Sequence, residues 1–189
     1  EEKLCPQFHL SLQSGCDTTL RRMNRRYSAA DYAQLVRMLR ERFPGCAITT
    51  DVMVGFPGET EKEFAASLKF IQEMAFARTH VFSYSPRPGT VAAGRPGQIP
   101  VRVKEERSRA LLKAAAHGQA EYVAAQLHRT VPVLFETKTP RGYEGYTPEH
   151  VRTCLRSDND LRGRICAVEV TGSMVVQNEP CLTGILKEC

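Results

Sequence analysis

The sequence predicts an α/β protein: a parallel sheet with crossover helices, followed by a small closed β-barrel. Two patterns carry that expectation. Up to about Ser85, β-like and helical runs alternate in the order β-α-β-α-β. Each connection is long enough for a right-handed crossover between parallel strands. From Val131 the texture changes to short β-like runs separated by Gly, Pro and Asn, the pattern of a small barrel.

The elements follow in order. Gln7–Leu12 (QFHLSL) reads as a short strand that ends in the polar loop QSGCD. TTLRRMNRRY then supplies one or two helical turns. Ser28 is a helix N-cap with Asp31 three residues on, a variant of the capping box. Behind it Tyr32, Leu35, Val36, Leu39 and Phe43 fall at helical spacing, and Pro44-Gly45 ends the run. AITTDVMVG is a strand whose apolar second half predicts cover on both faces. Thr60 and Glu63 form a second capping box, with Phe64, Leu68 and Ile71 on one face of the helix. Thr79–Ser85 is a third strand. After the loop PRPGTVAAGRPGQIP, a long helix runs from Lys104 to about Leu127, with Gly118 as its weak point. The barrel runs are VPVLFET, GYEGYTPEHVRTCL, RICAVEVTGS and PCLTGILKE.

The chain has 189 residues, enough for one average domain or two small ones. No run approaches the roughly 18 apolar residues that span a bilayer, so no membrane association is expected. The start, EEKLCPQ, has neither a basic region nor an apolar one and is not a signal peptide. It reads as a cut inside a longer protein. The seven cysteines are odd in number and widely spaced, with no CxxC. Reduced thiols in a cytoplasm are expected, with no metal site in this chain. The net charge of +5 is modest for a protein with a polyanionic partner. Residues 128–189 carry eight Lys/Arg against eight Asp/Glu, so a nucleic-acid grip there needs its cations clustered on one side.

In parallel sheets, ligands collect at the carboxyl ends of the strands. The residues there are Gln13-Ser14-Gly15, Gly55 to Glu59, and Ser85 to Thr90. Gln13 and Ser14 can hydrogen-bond a polar ligand or serve the turn. Gly55-Phe56-Pro57-Gly58-Glu59-Thr60 is not a Walker P-loop, lacking GK[ST]. It is either a tight strand–helix turn or a place where backbone and helix N-terminus approach a ligand. Arg21, Arg22, Arg25 and Arg26 can meet phosphate or carboxylate, or form a solvated helix face. Arg87 stands between two prolines in a rigid loop, which favours a positioned cation. His9 has no metal-spaced partner and reads as structural. In the barrel, Tyr143 and Tyr146 can stack bases while Arg141 and Arg152 meet phosphate, or the tyrosines can be packing residues.

Taken together, HLSLQSGCDTTLRRMNRRYS, TTDVMVGFPGETEKEF and FSYSPRPGTVAA closely resemble the second half of the radical SAM domain of tRNA methylthiotransferases. Residues from 128 resemble the TRAM domain that follows it. The form LCPQFHLSLQSGCD looks most like the branch acting on N6-threonylcarbamoyladenosine.

The resemblance implies the C-terminal half of a (β/α)6 partial TIM-like barrel over 1–127, then an OB-like antiparallel TRAM barrel over 128–189. It implies S-adenosyl-L-methionine (SAM) as cofactor and two 4Fe-4S clusters in the full-length parent, none held by this chain. SAM cleavage there yields a 5′-deoxyadenosyl radical that takes hydrogen from C2 of a tRNA adenosine beside the anticodon, and a methylthio group is inserted. By similarity Gln13, Ser14, Arg26, Asp51, Gly55, Gly58, Glu59 and Arg87 belong to the SAM pocket, and Arg141, Tyr143, Tyr146 and Arg152 contact RNA. The expected partners are the tRNA anticodon stem-loop and the missing N-terminal half. Without that half, an exposed sheet edge invites dimerisation, and the chain alone is expected to be inactive. The rival readings are a non-catalytic RNA-binding module, and a methylthiotransferase acting on isopentenyladenosine tRNA or a ribosomal protein.

Overall fold

The computed structural model describes residues 4–177 and 179–189. Glu1, Glu2 and Lys3, with which the N-terminal segment was read, and Asn178, among the turn residues of the barrel, lie outside the described residues. The chain divides into two units. One is Phe8–Gln119; the other is Ala120–Cys189 with residues 4–7. The division at Ala120 falls inside a helix.

The first unit holds a three-stranded parallel sheet in the order β1 (Gln7–His9), β2 (Ala47–Val54), β3 (Arg78–Ser83). Beyond His9 the chain stays beside β2, with Leu10 N–H donating to Thr49 O and Gln13 N–H to Asp51 O. The helices are α1 (Asp17–Arg22), α2 (Ala29–Arg42) and α3 (Glu61–Met74). Both expected capping boxes form, Ser28 with Asp31 and Thr60 with Glu63. Each satisfies two N–H groups that a helix start otherwise leaves unpaired. The last helix of the fold, α4 (Val101–Ala124), starts three residues before the expected Lys104. Lys104 N–H reaches back to Pro100 O, so the proline sits just ahead of the first turn, where its missing N–H costs nothing.

One face of this sheet is covered. Leu12, Ile48, Val52 and Val54 pack against Tyr32 and Val36 of α2, Phe64 and Ile71 of α3, Phe76, and Leu111 of α4. Thr50 is the polar member, fully buried. Its hydroxyl donates to Leu10 O and accepts from Leu12 N–H and the Tyr32 hydroxyl. Burial pushes the Tyr32 phenol up to about 12. Cover on both faces of β2 is not what forms. Thr49, Asp51 and Met53 alternate with the buried positions and are only half-buried, because the helices pack on the other side.

The second unit holds a closed barrel of five strands: β4 (Thr130–Thr139), β5 (Gly142–Tyr146), β6 (Arg152–Leu155), β7 (Ile165–Val176) and β8 (Glu179–Glu188). Their order around the barrel is β4-β5-β6-β8-β7. It is not wholly antiparallel: β6 and β8 run parallel. Alternation drives closure, since Val131, Val133 and Phe135 point inward with Tyr143, Leu155, Val168, Val170 and Leu182. Inward and outward positions alternate along a barrel strand.

The expectation of seven reduced thiols is corrected: Cys166 and Cys189 are bonded. The β7–β8 ladder pairs Ala167 with Glu188 and so brings the Cα atoms of Cys166 and Cys189 to 4.1 Å. Cys46, Cys154 and Cys181 are buried free thiols. Burial pushes the Cys181 thiol up to about 11, so it is a packing residue rather than a nucleophile. Among the described residues, no helix is long and apolar enough to cross a membrane.

Phe135 is fully buried in the barrel. Phe135→Ala is expected to cost about 3–5 kcal/mol, read as a lower urea midpoint by circular dichroism.

Candidate functional site

The turn after β2 is fixed from within. Gly55 and Gly58 have φ of +73° and +80°, which L side chains rarely adopt. A Cβ on Gly55 would also fall 2.2 Å from Lys104 Cγ. The Lys104 ammonium donates to Tyr84 O at 2.9 Å, so α4 lies directly over the turn. Gly55 N–H donates to Glu59 Oε2 at 2.7 Å, Glu59 N–H to Phe56 O, Gly58 N–H to Gly97 O, and Thr60 N–H to Glu63 Oε2. These N–H groups are therefore spent inside the protein and not aimed at a ligand.

Glu59 is 3% exposed. Arg107 of α4, also buried, donates to its Oε2 at 2.7 Å and to its main-chain O at 3.1 Å. Burial pushes the Glu59 carboxyl upward, against the lowering pull of Gly55 N–H and Arg107. A second pair, Arg22 with Glu63 at 2.7 Å, ties α1 to the start of α3.

The uncovered face of the sheet is polar. His9 and Ser11, β2 residues Thr49, Asp51 and Met53, and β3 residues Arg78, His80 and Phe82 share it, by alternation and by the pairing of Asp51 with His80. Asp51 Oδ2 accepts from Ser11 at 3.3 Å and lies 3.2 Å from His9 Nε2, while His9 Nδ1 lies 2.9 Å from Thr49 Oγ1. Phe82 is 51% exposed at the same end.

The sequence-predicted SAM residues separate into groups. Gln13, held at φ +67°, pairs with β2 at Val52, and its N–H donates to Asp51 O; Asp51 itself lies on the open face. Arg26 and Arg87 are exposed, Arg26 after α1 and Arg87 in the loop after β3. Ser14 is 1% exposed, and its hydroxyl accepts Cys16 N–H at the start of α1. Gly55, Gly58 and Glu59 form the buried turn. Of the arginine cluster, Arg22 is paired and half-buried while Arg21, Arg25 and Arg26 are exposed. His9 is partnered by Thr49 and Asp51.

In the barrel, Glu144 is 6% exposed and gathers two arginines. Its Oε1 accepts from Thr139 and Arg141, and its Oε2 from Arg152. Burial acts to raise the Glu144 carboxyl, but hydrogen bonds from Arg152, Thr139 and Arg141 outweigh it and hold the group low. The Arg152 side chain is only 17% exposed, while that of Arg141 is 45% exposed. Tyr146 is exposed and stacks on His150, ring centroids 4.5 Å apart. Tyr143 is 2% exposed in the barrel core, so its ring packs rather than presents.

Sequence reading missed Arg107, Lys104, Glu144 and the His9–Asp51 network. Only the network has a sequence signal: His9, Ser11 and Gln13 are polar at a spacing of two, which marks a strand face not turned to the core. Lone charges such as Arg107 and Glu144 leave no local trace.

Removing one partner of a buried ion pair strands the other charge. Arg107→Ala is therefore expected to cost about 3–5 kcal/mol, measured by chemical denaturation, while Arg102→Ala on exposed α4 surface costs little. The low Glu144 pKa makes its ionised form stabilising above the ordinary value of 4.5, and that contribution is lost as pH falls below it. Glu144→Gln should cost about 1–3 kcal/mol at neutral pH and flatten the acid limb of stability against pH.

Comparison with known proteins agrees with these blocks. Residues 1–71 match the radical SAM superfamily model. The chain is 36% identical over 188 residues to a tRNA-2-methylthio-N(6)-dimethylallyladenosine synthase of Pelotomaculum thermopropionicum, covering 98% of this chain and 41% of that protein. It is 34% identical over 192 residues to the threonylcarbamoyladenosine tRNA methylthiotransferase MtaB of Bacillus subtilis, covering 99% and 43%. A synthase of the first kind from Ehrlichia canis is 41% identical over 138 residues, covering 73% and 31%. The chain thus spans about two fifths of the length of the first two relatives. It is similar to tRNA methylthiotransferases along nearly its whole length, and to the radical SAM superfamily over residues 1–71.

Proposed function

We propose that this chain is part of a radical SAM enzyme that places a methylthio group on C2 of N6-threonylcarbamoyladenosine beside the tRNA anticodon. The observation that carries the reading is the match to tRNA methylthiotransferases along 98–99% of the chain. The uncovered polar face of the first unit supports it, since that face fits one wall of a cavity.

The residues present fit SAM in part. Asp51 on the open face and Gln13 beside β2 offer hydrogen-bonding groups, and Arg26 and Arg87 are cations suited to its carboxylate or to RNA phosphate. SAM, when bound, supplies the hydrogen-abstracting group. Ser14, Gly55, Gly58 and Glu59 act through position: Ser14 starts α1, and the buried turn sets the end of β2. A 4Fe-4S cluster does not fit. It takes three or four closely grouped cysteines, and among the described residues no group of three or more His, Cys, Asp or Glu is placed to hold a metal. The chain alone is accordingly proposed to be inactive. Its partner is the N-terminal half of the parent, which covers the open face; a second copy pairing at the sheet edge is the rival occupant. The barrel is proposed as a TRAM domain that grips tRNA with Arg141, Tyr146 and Arg152, in the cytoplasm.

The relatives named for dimethylallyladenosine favour a second reading, in which isopentenyladenosine is the substrate. One experiment separates the two. The gene encoding this chain is deleted from its source, and bulk tRNA is digested to nucleosides for mass spectrometry. The expected result is loss of 2-methylthio-N6-threonylcarbamoyladenosine with accumulation of its unthiolated precursor. Loss of the isopentenyl counterpart redirects the substrate, and loss of neither overturns the reading.

A further inference from the structure

We propose that the mouth of the barrel is a phosphate-binding subsite for RNA, built from Lys138, Arg141 and Arg156. The inference rests on the tRNA reading and names where the RNA backbone is held. A pocket of about 410 Å³ opens between the β4–β5 hairpin, Lys138 to Gly142, and the segment after β6, Arg156 to Asp158. Three cations from two separate segments line it with one carboxylate, Asp158, while Glu144 holds Arg141 and Asp160 lies near Lys138.

The barrel's charge balance makes this convergence informative. Its eight basic and eight acidic residues cancel in total, but not in place. Asp160 is taken by Arg162, and Glu169 by Lys187 at 2.6 Å. Glu144 binds Arg141 and Arg152, two arginines for one carboxylate. In the pocket lining itself Lys138, Arg141 and Arg156 outnumber Asp158, so a barrel neutral in total presents a cationic spot to a polyanion.

The geometry selects phosphate over a base. Tyr143 lines the pocket yet is 2% exposed, so it cannot present its face to a base. Instead the Lys138 ammonium sits 5.1 Å from the ring centroid, and the ring holds that cation at the mouth. Glu144 grips Arg141 through Nε and one terminal nitrogen, at 3.3 and 3.1 Å. That fixes a guanidinium whose side chain stays 45% exposed. Guanidinium groups meet phosphate oxygens bidentately, and Lys adds a point charge. Of the residues first assigned to RNA, Arg141 is therefore a ligand and Tyr143 a support; Lys138 and Arg156 join them.

The test uses the full chain and a fluorescent anticodon stem-loop RNA, with affinity measured by anisotropy across a salt series. Each phosphate contact contributes about 0.7–0.9 to the slope of log affinity against log salt. Lys138→Gln and Arg156→Gln are each expected to lower the slope by about that amount and to weaken binding severalfold. Lys187→Gln, whose ammonium is held by Glu169 and is not in the pocket lining, should leave the slope unchanged. If the wild-type chain binds RNA and all three variants behave alike, the pocket is overturned while the tRNA reading stands. If the wild-type chain binds no RNA, both fall. If polyglutamate displaces the RNA as well as charge-matched polyuridine does, the pocket is a site for acidic protein and the RNA assignment is wrong.

Discussion

The buried pair of Arg107 and Glu59 is the contact on which the first unit's geometry depends. It joins the end of the central strand and the start of α3 to the long helix α4, which is distant in sequence. One Glu59 oxygen binds both Arg107 and the Gly55 amide. The turn at positive φ is thus closed by its own fourth neighbour, and the helix is locked over it. Buried ion pairs seldom add net stability over apolar packing, but breaking one is costly. Such a pair specifies one arrangement. Here the arrangement is the exit of β2 at the carboxyl edge of the sheet, where ligands of α/β folds are bound.

The barrel repeats the device with a different outcome. Glu144 is also nearly buried and also fixes arginines, but Arg141 keeps its outer side in solvent. One buried carboxylate then converts two flexible cations into oriented ones. In the first unit the buried acid holds backbone; in the second it aims charge. Orientation lowers the entropy lost when a guanidinium binds its ligand, which suits the RNA-binding role proposed for a barrel without excess net charge.

Much of the fold was legible because it is locally encoded. Ser28 with Asp31 and Thr60 with Glu63 announce helix starts, and both boxes form. The alternation Val131, Val133, Phe135 announces an inward strand face. The sheet's open face was harder to read. Met53 and Val54 look alike in a list of apolar residues, yet one lies under the helices and its neighbour does not. The glycine turn was legible as a turn but not in its working. Its amides could serve the turn or a ligand; Glu59 and Glu63 take two of them locally, but Gly97 takes another through a contact that no short window of sequence contains. Glu144 and Arg107 were invisible for the same reason. The Cys166–Cys189 bond was missed because strand register, not spacing, brings the two together.

The central claim is that the polar face of the sheet, and neither the helix-covered face nor the turn's amides, forms the wall that meets SAM. The most direct test is nuclear magnetic resonance of the isotopically labelled chain titrated with SAM to millimolar concentration. The predicted result is saturable shifts concentrated at Gln13, Asp51, Met53 and Phe82, with Phe64 and Ile71 unmoved. Shifts centred on Phe64 and Ile71, or none at any of these positions at the highest concentration, would contradict it.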